Sequence, residues 1–352
     1  MSLRLLCRSF LILTVLSVAT CGGGAGLGGS NKNRIIDTVN GIDFYLREIP
    51  IGSFNILPNW GGRGSAPTKR LRTITMTITK AYYIAEKEVT QELWEAIMGG
   101  VSSNRSYFKT NLNGISDLLL PVENVNWFQA IVFCNKLSKA AGLTPVYSLQ
   151  GVNLDNISFS EIPARKSSNA VLATWDKIEM NQNANGYRLP MEMEWMWAAM
   201  GADVGNVGKI NENGFKKLYA GQKDIGNEND LHKAPRKIND YVWYGHNISY
   251  ATASGQTRRV GIKLPNELGL YDMSGNVQEW CWDRYYPEYP EPIENTVDYS
   301  GPSKGWEDRV KHGGSYVDYS DICTITFRSG GEPSGSDGSN HHTGLRVVRE
   351  KP

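Results

Sequence analysis

The segment from Asp272 to Glu279 places two carboxylates around a glycine-containing turn. Side-chain carboxylates at this spacing, together with carbonyl oxygens of the turn, can surround a hard cation such as calcium. In the alternative interpretation, the acids bond backbone amides and Asn276 within a tight turn. The sequence leaves both interpretations open: a structural calcium ion is a candidate, and no cofactor is required.

Histidine and tryptophan are the next residue types that can do chemistry. His312 and the pair His341–His342 are potential metal ligands, but neighbouring residues of a strand point to opposite faces, which prevents one metal from taking both members of the pair. We therefore expect surface histidines. The chain has 10 Trp, including Trp195 and Trp280, and their helical or strand spacing predicts core packing rather than stacking on sugars or bases.

The N-terminus has the pattern of a bacterial lipoprotein signal. Residues 1–20 carry two arginines, an apolar stretch and then small residues, and Cys21 follows at the cleavage point. Lipid on Cys21 would anchor the protein in the bacterial outer membrane or at the cell surface, with residues 21–40 as acylated cysteine and flexible tether. The alternative is an ordinary cleaved signal with a chance cysteine.

Composition and periodicity predict one loop-rich domain over residues 41–350. Its 37 Lys and Arg balance 36 Asp and Glu, and 37 Gly indicate many turns. Two stretches alternate as strands that should pair, 42–55 and 71–84. Three helices are predicted: Gln91–Met98 capped by Thr90, a second from Asn126 to Gly142 with Gln129 completing a capping box, and a third over Pro190–Met200.

Six blocks along the chain resemble the formylglycine-generating-enzyme family, also called the sulfatase-modifying-factor domain. They are Glu88–Gly99, Pro121–Trp127, Tyr187–Pro190 with Glu194 and Trp195, Asn266–Trp280, Arg309–Tyr316, and Gly344–Val348. The resemblance implies an α+β fold of the C-type-lectin-like, formylglycine-generating-enzyme type, loop-rich with few short helices. Met191 departs from the family, which usually places a helix-capping threonine there.

The resemblance also assigns roles to individual residues. Calcium ligands would be Asp272, the carbonyls of Gly275 and Val277, and Glu279. The family's oxidase chemistry uses two cysteines, because soft sulfur pairs hold Cu(I). Cys323 matches the second cysteine, but Asp318 stands at the first, so we expect no oxidase activity and no catalytic residues.

The same fold resembles variable proteins diversified by retroelements, in which adenine-directed mutation of Asn codons cannot produce Lys, Glu, Gln, Met or Trp. Between residues 316 and 343 only Glu332 belongs to these types, whereas ordinary usage predicts about five. The segment instead mixes Tyr, Ser, Asp, Asn and His, a composition typical of adaptable binding surfaces. A plain surface loop is the alternative.

The sequence therefore predicts a non-catalytic, surface-displayed lipoprotein that binds a protein or glycan ligand through a variable C-terminal region at about 316–343. We expect a monomer without a nucleic-acid partner. A copper- and oxygen-dependent formylglycine-generating oxidase, or a modified relative, is the alternative. The predicted ligand-binding residues are Val317, Asp318, Tyr319, Ser320, Asp321, Ile322, Cys323, Thr324, Ser336, Asp337, Asn340 and His341.

Overall fold

A computed structural model describes residues 33–56, 74–111, 113–202, 219–221, 238–245, 255–286, 296–302, 308–335 and 340–352. These residues form fourteen strands and four α-helices. The strands are β1 (Arg34–Val39), β2 (Ile42–Ile49), β3 (Gly52–Ile56), β4 (Ile74–Ile78), β5 (Tyr82–Ala85), β6 (Tyr147–Ser148), β7 (Glu179–Met180), β8 (Tyr187–Arg188), β9 (Gln278–Arg284), β10 (Thr296–Val297), β11 (Arg309–His312), β12 (Arg328–Gly331), β13 (Thr343–Gly344) and β14 (Val348–Glu350). The helices are α1 (Gln91–Met98), α2 (Trp127–Ala140), α3 (Asn169–Trp175) and α4 (Glu192–Ala199).

The largest sheet has the strand order β1-β2-β5-β14-β8, with antiparallel neighbours. The two predicted strand regions pair as expected, because β2 lies beside β5 and β3 beside β4. The predicted tether is wrong in its last residues: Arg34 to Val39 form β1, in which Arg34 pairs with Arg47 of β2. The signal and Cys21 lie outside the described residues.

Two hydrophobic cores lie on opposite faces of this sheet, because successive residues of a strand point to opposite sides. Val347 packs in the core that contains α1 and α2, whereas its neighbour Val348 packs in the core that contains α4. Strand β9 divides in the same way, with Trp280 in the first core and Cys281 in the second. The prediction of core tryptophans is confirmed for five that are at most 1% exposed: Trp94, Trp127, Trp195, Trp197 and Trp280.

The first two predicted helices are confirmed together with their caps. Thr90 Oγ1 accepts a hydrogen bond from the Leu93 amide, and α1 ends before Gly99, whose φ of 103° a glycine adopts without steric cost. Asn126 and Gln129 form a reciprocal capping box at the start of α2.

Helix α4 begins two residues later than the predicted Pro190. The Met191 side chain has no oxygen with which to cap the helix, and two carboxylates from elsewhere in the chain take that role. The Met191 amide donates to Glu194 Oε2 at 2.8 Å, and the Glu192 amide donates to Asp283 Oδ2 of β9 at 2.7 Å. The short helix α3 was not predicted.

Candidate functional site

The predicted ligand-binding segment begins after β11 of a four-stranded sheet with the order β12-β11-β9-β13, and it contains β12 of the same sheet. After β11 the chain turns through Gly313 and Gly314, which have φ values of 91° and 64°. A Cβ atom on Gly314 would lie 2.8 Å from both Cα and Sγ of Cys323. The absence of a side chain at Gly314 therefore lets the loop fold back with Cys323 against the turn.

Asp318 and Cys323, which are predicted to stand at the family's two cysteine positions, both interact with Ser315. The Ser315 hydroxyl donates to Asp318 Oδ2 at 2.6 Å, and the Cys323 thiol donates to the Ser315 carbonyl at 3.7 Å. The Gln278 amide lies 3.4 Å from the same carboxylate oxygen. Asp318 is thus held as a hydrogen-bonded loop residue.

The Cys323 side chain is completely buried, at 0% exposure. Burial raises the pKa of its thiol well above the ordinary value, and the nearby Asp318 carboxylate raises it further. Because the thiolate is the nucleophile and the metal ligand, this environment disfavours both roles. Burial also raises the pKa of Asp318, against hydrogen bonds from Ser315 and Gln278 that lower it.

The structure separates the predicted ligand-binding residues into exposed and buried sets. Tyr319 is 46% exposed and Asp321 is exposed as well. Six are half-buried: Val317, Asp318, Ser320, Ile322, Asn340 and His341. Cys323 and Thr324 are buried, so their placement on the binding surface was wrong, because the loop turns inward there to anchor itself. Ser336 and Asp337 lie outside the described residues.

The sequence did not predict that a loop far back in the chain joins this surface. The Tyr107 ring lies 5.5 Å from the His341 ring, and Phe108 lies 5.4 Å from Tyr316, measured between centroids. The Asn124 amide donates to the Asn340 carbonyl at 3.1 Å and so fixes the two loops together. The adjacent aromatics Tyr107 and Phe108, in a polar stretch, were the only sequence signal.

The Asp272–Glu279 turn is closed by bonds within the protein. Arg346 Nη2 and Nε lie 2.7 and 3.0 Å from Glu279 Oε1, and Trp195 Nε1 donates to Glu279 Oε2 at 2.6 Å. Asp272 Oδ2 accepts from the Gly261 amide at 2.6 Å. The other oxygen, Asp272 Oδ1, is buried without a hydrogen-bond partner.

Of the two carboxylates in that turn, only Asp272 therefore has an oxygen available to a cation. Desolvation raises its pKa to about 6, against the Gly261 hydrogen bond and the charge of Arg346, which lower it. Within the described part of the chain, no group of three or more His, Cys, Asp or Glu residues is arranged to hold a metal ion. Calcium ligation by Asp272, Glu279 and the carbonyls of Gly275 and Val277 stays a prediction.

His312 was expected at the surface, and this was wrong. The side chain is 1% exposed, its ring stacks on Trp195 with centroids 4.8 Å apart, and its Nε2 lies 3.1 Å from Glu192 Oε1. Arg328 Nε also donates to Glu192 Oε1, at 2.6 Å. His312 points toward α4, whereas the preceding residue of β11, Lys311, points to the opposite face of the strand.

His341 and His342 are half-buried, and their rings lie 5.6 Å apart at 89°. Burial and the nearby Lys311 charge lower the pKa of His342 to about 4.

Among the described residues, no helix is long and apolar enough to cross a bilayer.

Comparisons with known proteins agree with this architecture. The family described as "Sulfatase-modifying factor enzyme 1-like domain" matches residues 49–351. The chaperone protein LppX of Paenibacillus barcinonensis is 32% identical over 282 residues, which cover 77% of this chain and 80% of that protein. The formylglycine-generating enzyme of Streptomyces coelicolor is 30% identical over 186 residues, covering 51% of this chain and 53% of the enzyme.

A solved structure, Treponema denticola variable protein 1, has a TM-score of 0.68 and 33% sequence identity, covering 90% of this chain and 99% of that one. The expected fold class, α+β of the formylglycine-generating-enzyme type, is confirmed. The length of the family match and the order of its blocks lead to one conclusion: the chain belongs to the family of sulfatase-modifying factor enzyme 1-like domains.

Proposed function

We propose that this protein is a non-catalytic, surface-displayed lipoprotein whose C-terminal loops bind a protein or glycan ligand and are diversified by a retroelement. A lipid on Cys21 would hold it at the bacterial outer membrane or cell surface. The observation that carries the proposal is the state of the family's cysteine positions, where Asp318 bonds Ser315 beside a fully buried Cys323.

The chemistry of this position argues against oxidase function. A carboxylate is a poor ligand for Cu(I) and does not exchange disulfides, so Asp318 supplies neither property of the missing thiol. The remaining thiol of Cys323 is protonated at neutral pH, because burial keeps its pKa far above the ordinary value. Binding therefore explains the loops better than catalysis.

The loop has the mechanical features of a binding surface on a firm support. Its buried anchors, Tyr316, Cys323 and Ile325, are at most 1% exposed, while Tyr319 and Asp321 between them reach solvent. Anchored exposed residues lose little conformational freedom on binding, which favours affinity. The similarity to Treponema denticola variable protein 1 supports the same interpretation.

The catalytic alternative is tested with the purified mature protein, Cu(I) and a cysteine-containing peptide under oxygen. We expect no tight copper binding through Cys323 and no oxidation of the peptide cysteine, and a formylglycine-generating enzyme serves as the positive control. Formylglycine in the peptide would overturn the proposal. Asp318→Cys, which restores the family pair, is the matched variant for copper binding.

The diversification is tested at the gene. A near-copy of the region that encodes residues 316–348, next to a reverse-transcriptase gene, should carry adenines wherever the two copies differ. Differences scattered outside 316–343, or unrelated to adenine, would remove the retroelement from the proposal. Binding by an invariant surface would then be the remaining interpretation.

A further inference from the structure

Four aromatic rings meet where the 105–108 loop contacts the C-terminal loops, and we name the group the Tyr107 cluster: Tyr107, Phe108, Tyr316 and His341. The centroid of Tyr107 lies 4.9 Å from that of Phe108 and 5.5 Å from that of His341. Phe108 lies 5.4 Å from Tyr316, and Tyr316 lies 6.4 Å from His341. The four rings therefore form one contiguous aromatic cluster.

The Tyr107 cluster runs from solvent into the domain. Tyr107 is 70% exposed, whereas Tyr316 is 1% exposed. A large aromatic side chain that is mostly exposed loses its hydrophobic stabilisation, so its position at the rim of a loop surface is typical of a contact residue. The outer ring is open to a ligand, and the inner rings hold it in place.

A buried carboxyl group lies against these rings. Glu123 is 0% exposed, and its Oε1 accepts a hydrogen bond from the Phe108 amide at 2.8 Å. Its Oε2 has no hydrogen-bond partner, and neither has the neighbouring Asn124 Oδ1. Two buried acceptors without donors are costly, since each has lost its water.

No side-chain cation within the described residues forms an ion pair with Glu123. Lys109, whose charge acts on Glu123, donates to the Asn104 carbonyl at 2.9 Å. Desolvation raises the pKa of Glu123 to about 8, although the Phe108 and Tyr107 amides and the Lys109 charge lower it. A positive group brought to the rings would favour the ionised carboxyl and offset this cost.

The faces of aromatic rings carry negative potential, so a cation seated on them is attracted. Ionisation of Glu123, whose Oε1 accepts from the Phe108 amide, would add to that attraction. We propose that the Tyr107 cluster, backed by Glu123, is a binding subsite for a lysine or arginine side chain of a protein ligand. This inference rests on the proposed binding function and specifies its ligand as a protein with an exposed basic residue.

The subsite combines residues from outside and inside the segment predicted to vary. Tyr107, Phe108 and Glu123 precede the segment predicted to vary, residues 316–343, whereas Tyr316 and His341 lie within it. Tyr107 and Phe108 would give every variant a common anchor for a cationic side chain, while the segment predicted to vary selects the rest of the ligand. Binding energy in protein interfaces commonly concentrates in a few such contacts.

The test uses small probes and the five histidine rings of the full mature chain as reporters. Choline and n-butylguanidinium are titrated while the ring signals of His341 are followed by NMR. 3,3-Dimethyl-1-butanol, the uncharged isostere of choline, is titrated in parallel. We expect saturable shifts at His341 with both cations and none with the alcohol.

Two variants and one control localise the effect. Tyr107→Ala removes an exposed ring and should weaken cation binding roughly fivefold to tenfold. Ile51→Ala removes an exposed apolar side chain outside the cluster, 61% exposed between β2 and β3, and should leave cation binding unchanged. Glu123→Gln should also weaken binding, with folding checked by circular dichroism because the residue is buried.

The outcomes separate this inference from the proposed function. Equal binding of the alcohol, or unchanged binding in Tyr107→Ala, would overturn the cation subsite. Glycan binding that resists Tyr107→Ala but is lost in Tyr319→Ala would keep a binding function and overturn the protein-ligand assignment. Peptide-cysteine oxidation by the same preparation would overturn the function itself.

Discussion

At the scale of single residues, the protein buries many charged groups and holds most of them in specific pairs. Glu279 pairs with Arg346, and both side chains are at most 1% exposed. Glu192 is shared by Arg328 and His312 in the same way. Removing one partner of such a pair strongly destabilises the folded protein, because the other partner is left buried and charged. Asp272 is one of the buried acids that keep an oxygen without a hydrogen-bond partner.

The unpaired oxygen gives a prediction for pH. The folded state raises the pKa of Asp272 to about 6, so the protonated carboxyl contributes stability that is fully present below about pH 4 and is lost as pH rises through 6. Asp272→Asn keeps a neutral side chain at every pH. We expect the variant to be roughly 2 to 3 kcal/mol more stable at pH 7.5 and equal to the wild type at pH 4, measured by urea denaturation.

The same variant tests calcium. If calcium binds through Asp272, millimolar calcium should raise the melting temperature of the wild type and leave that of Asp272→Asn unchanged. Magnesium at the same concentration is the ionic-strength control. Equal shifts for both proteins would show that the acids of the turn have a structural role only.

At the scale of elements, the caps decide where helices begin. Asn126 closes a capping box with Gln129 and also donates from Nδ2 to the carbonyls of Pro163, at 2.8 Å, and Ser334, at 3.3 Å. One side chain thus starts α2 and holds two distant loops, and the second of those loops follows β12. The cap was predictable from sequence, but these additional bonds were not.

The difference between a local and a tertiary cap can be measured. Asn126→Ala should cost about 2 to 4 kcal/mol, because it removes the cap and leaves two loop carbonyls with fewer donors. Thr90→Ala removes the simple cap of α1 and should cost about 1 kcal/mol. Urea denaturation of both variants is the measurement. Equal losses would mean that the loop bonds of Asn126 contribute nothing.

Sequence periodicity predicted those helices and strands whose own residues carry a cap or a clear apolar alternation. The first two helices carry caps and an apolar face, and the strand pairs β2 with β5 and β3 with β4 alternate clearly. Strand β1 was assigned to the tether, because a glycine-rich stretch precedes it and its pairing depends on β2. Helix α3 has seven residues and a single buried one, Trp175, so its pattern was too weak to predict it.

At the scale of the whole molecule, the two ends of the described domain meet in one sheet. Strand β14, at the C-terminus, lies between β5 and β8, and Arg349 Nε donates to Asp37 Oδ2 of β1 at 3.2 Å. Leu345, Val347 and Val348 are all 0% exposed. The last strand and the residues just before it therefore contribute to both hydrophobic cores.

This topology predicts a sharp dependence on the C-terminus. Removing residues 345–352 would leave β5 and β8 without their common partner and open both cores, so we expect loss of cooperative thermal unfolding. Removing only Lys351 and Pro352 deletes an exposed ion pair with Glu48 and should change the melting temperature little. Cooperative unfolding of the longer deletion by calorimetry would contradict the central role of β14.

The sequence by itself determined the family, the starts of two helices and the core role of the tryptophans, and it predicts an aspartate at the family's first cysteine position. These depend on residue types and on spacings within a few turns of chain. Only the tertiary structure decided that Cys323 and His312 are buried, that Arg346 pairs with the Glu279 carboxylate, and that the Tyr107 ring contacts the His341 ring. Each of those facts depends on contacts between distant segments. A local pattern does not encode such contacts, because many loop closures have similar entropy and tertiary packing determines which of them forms.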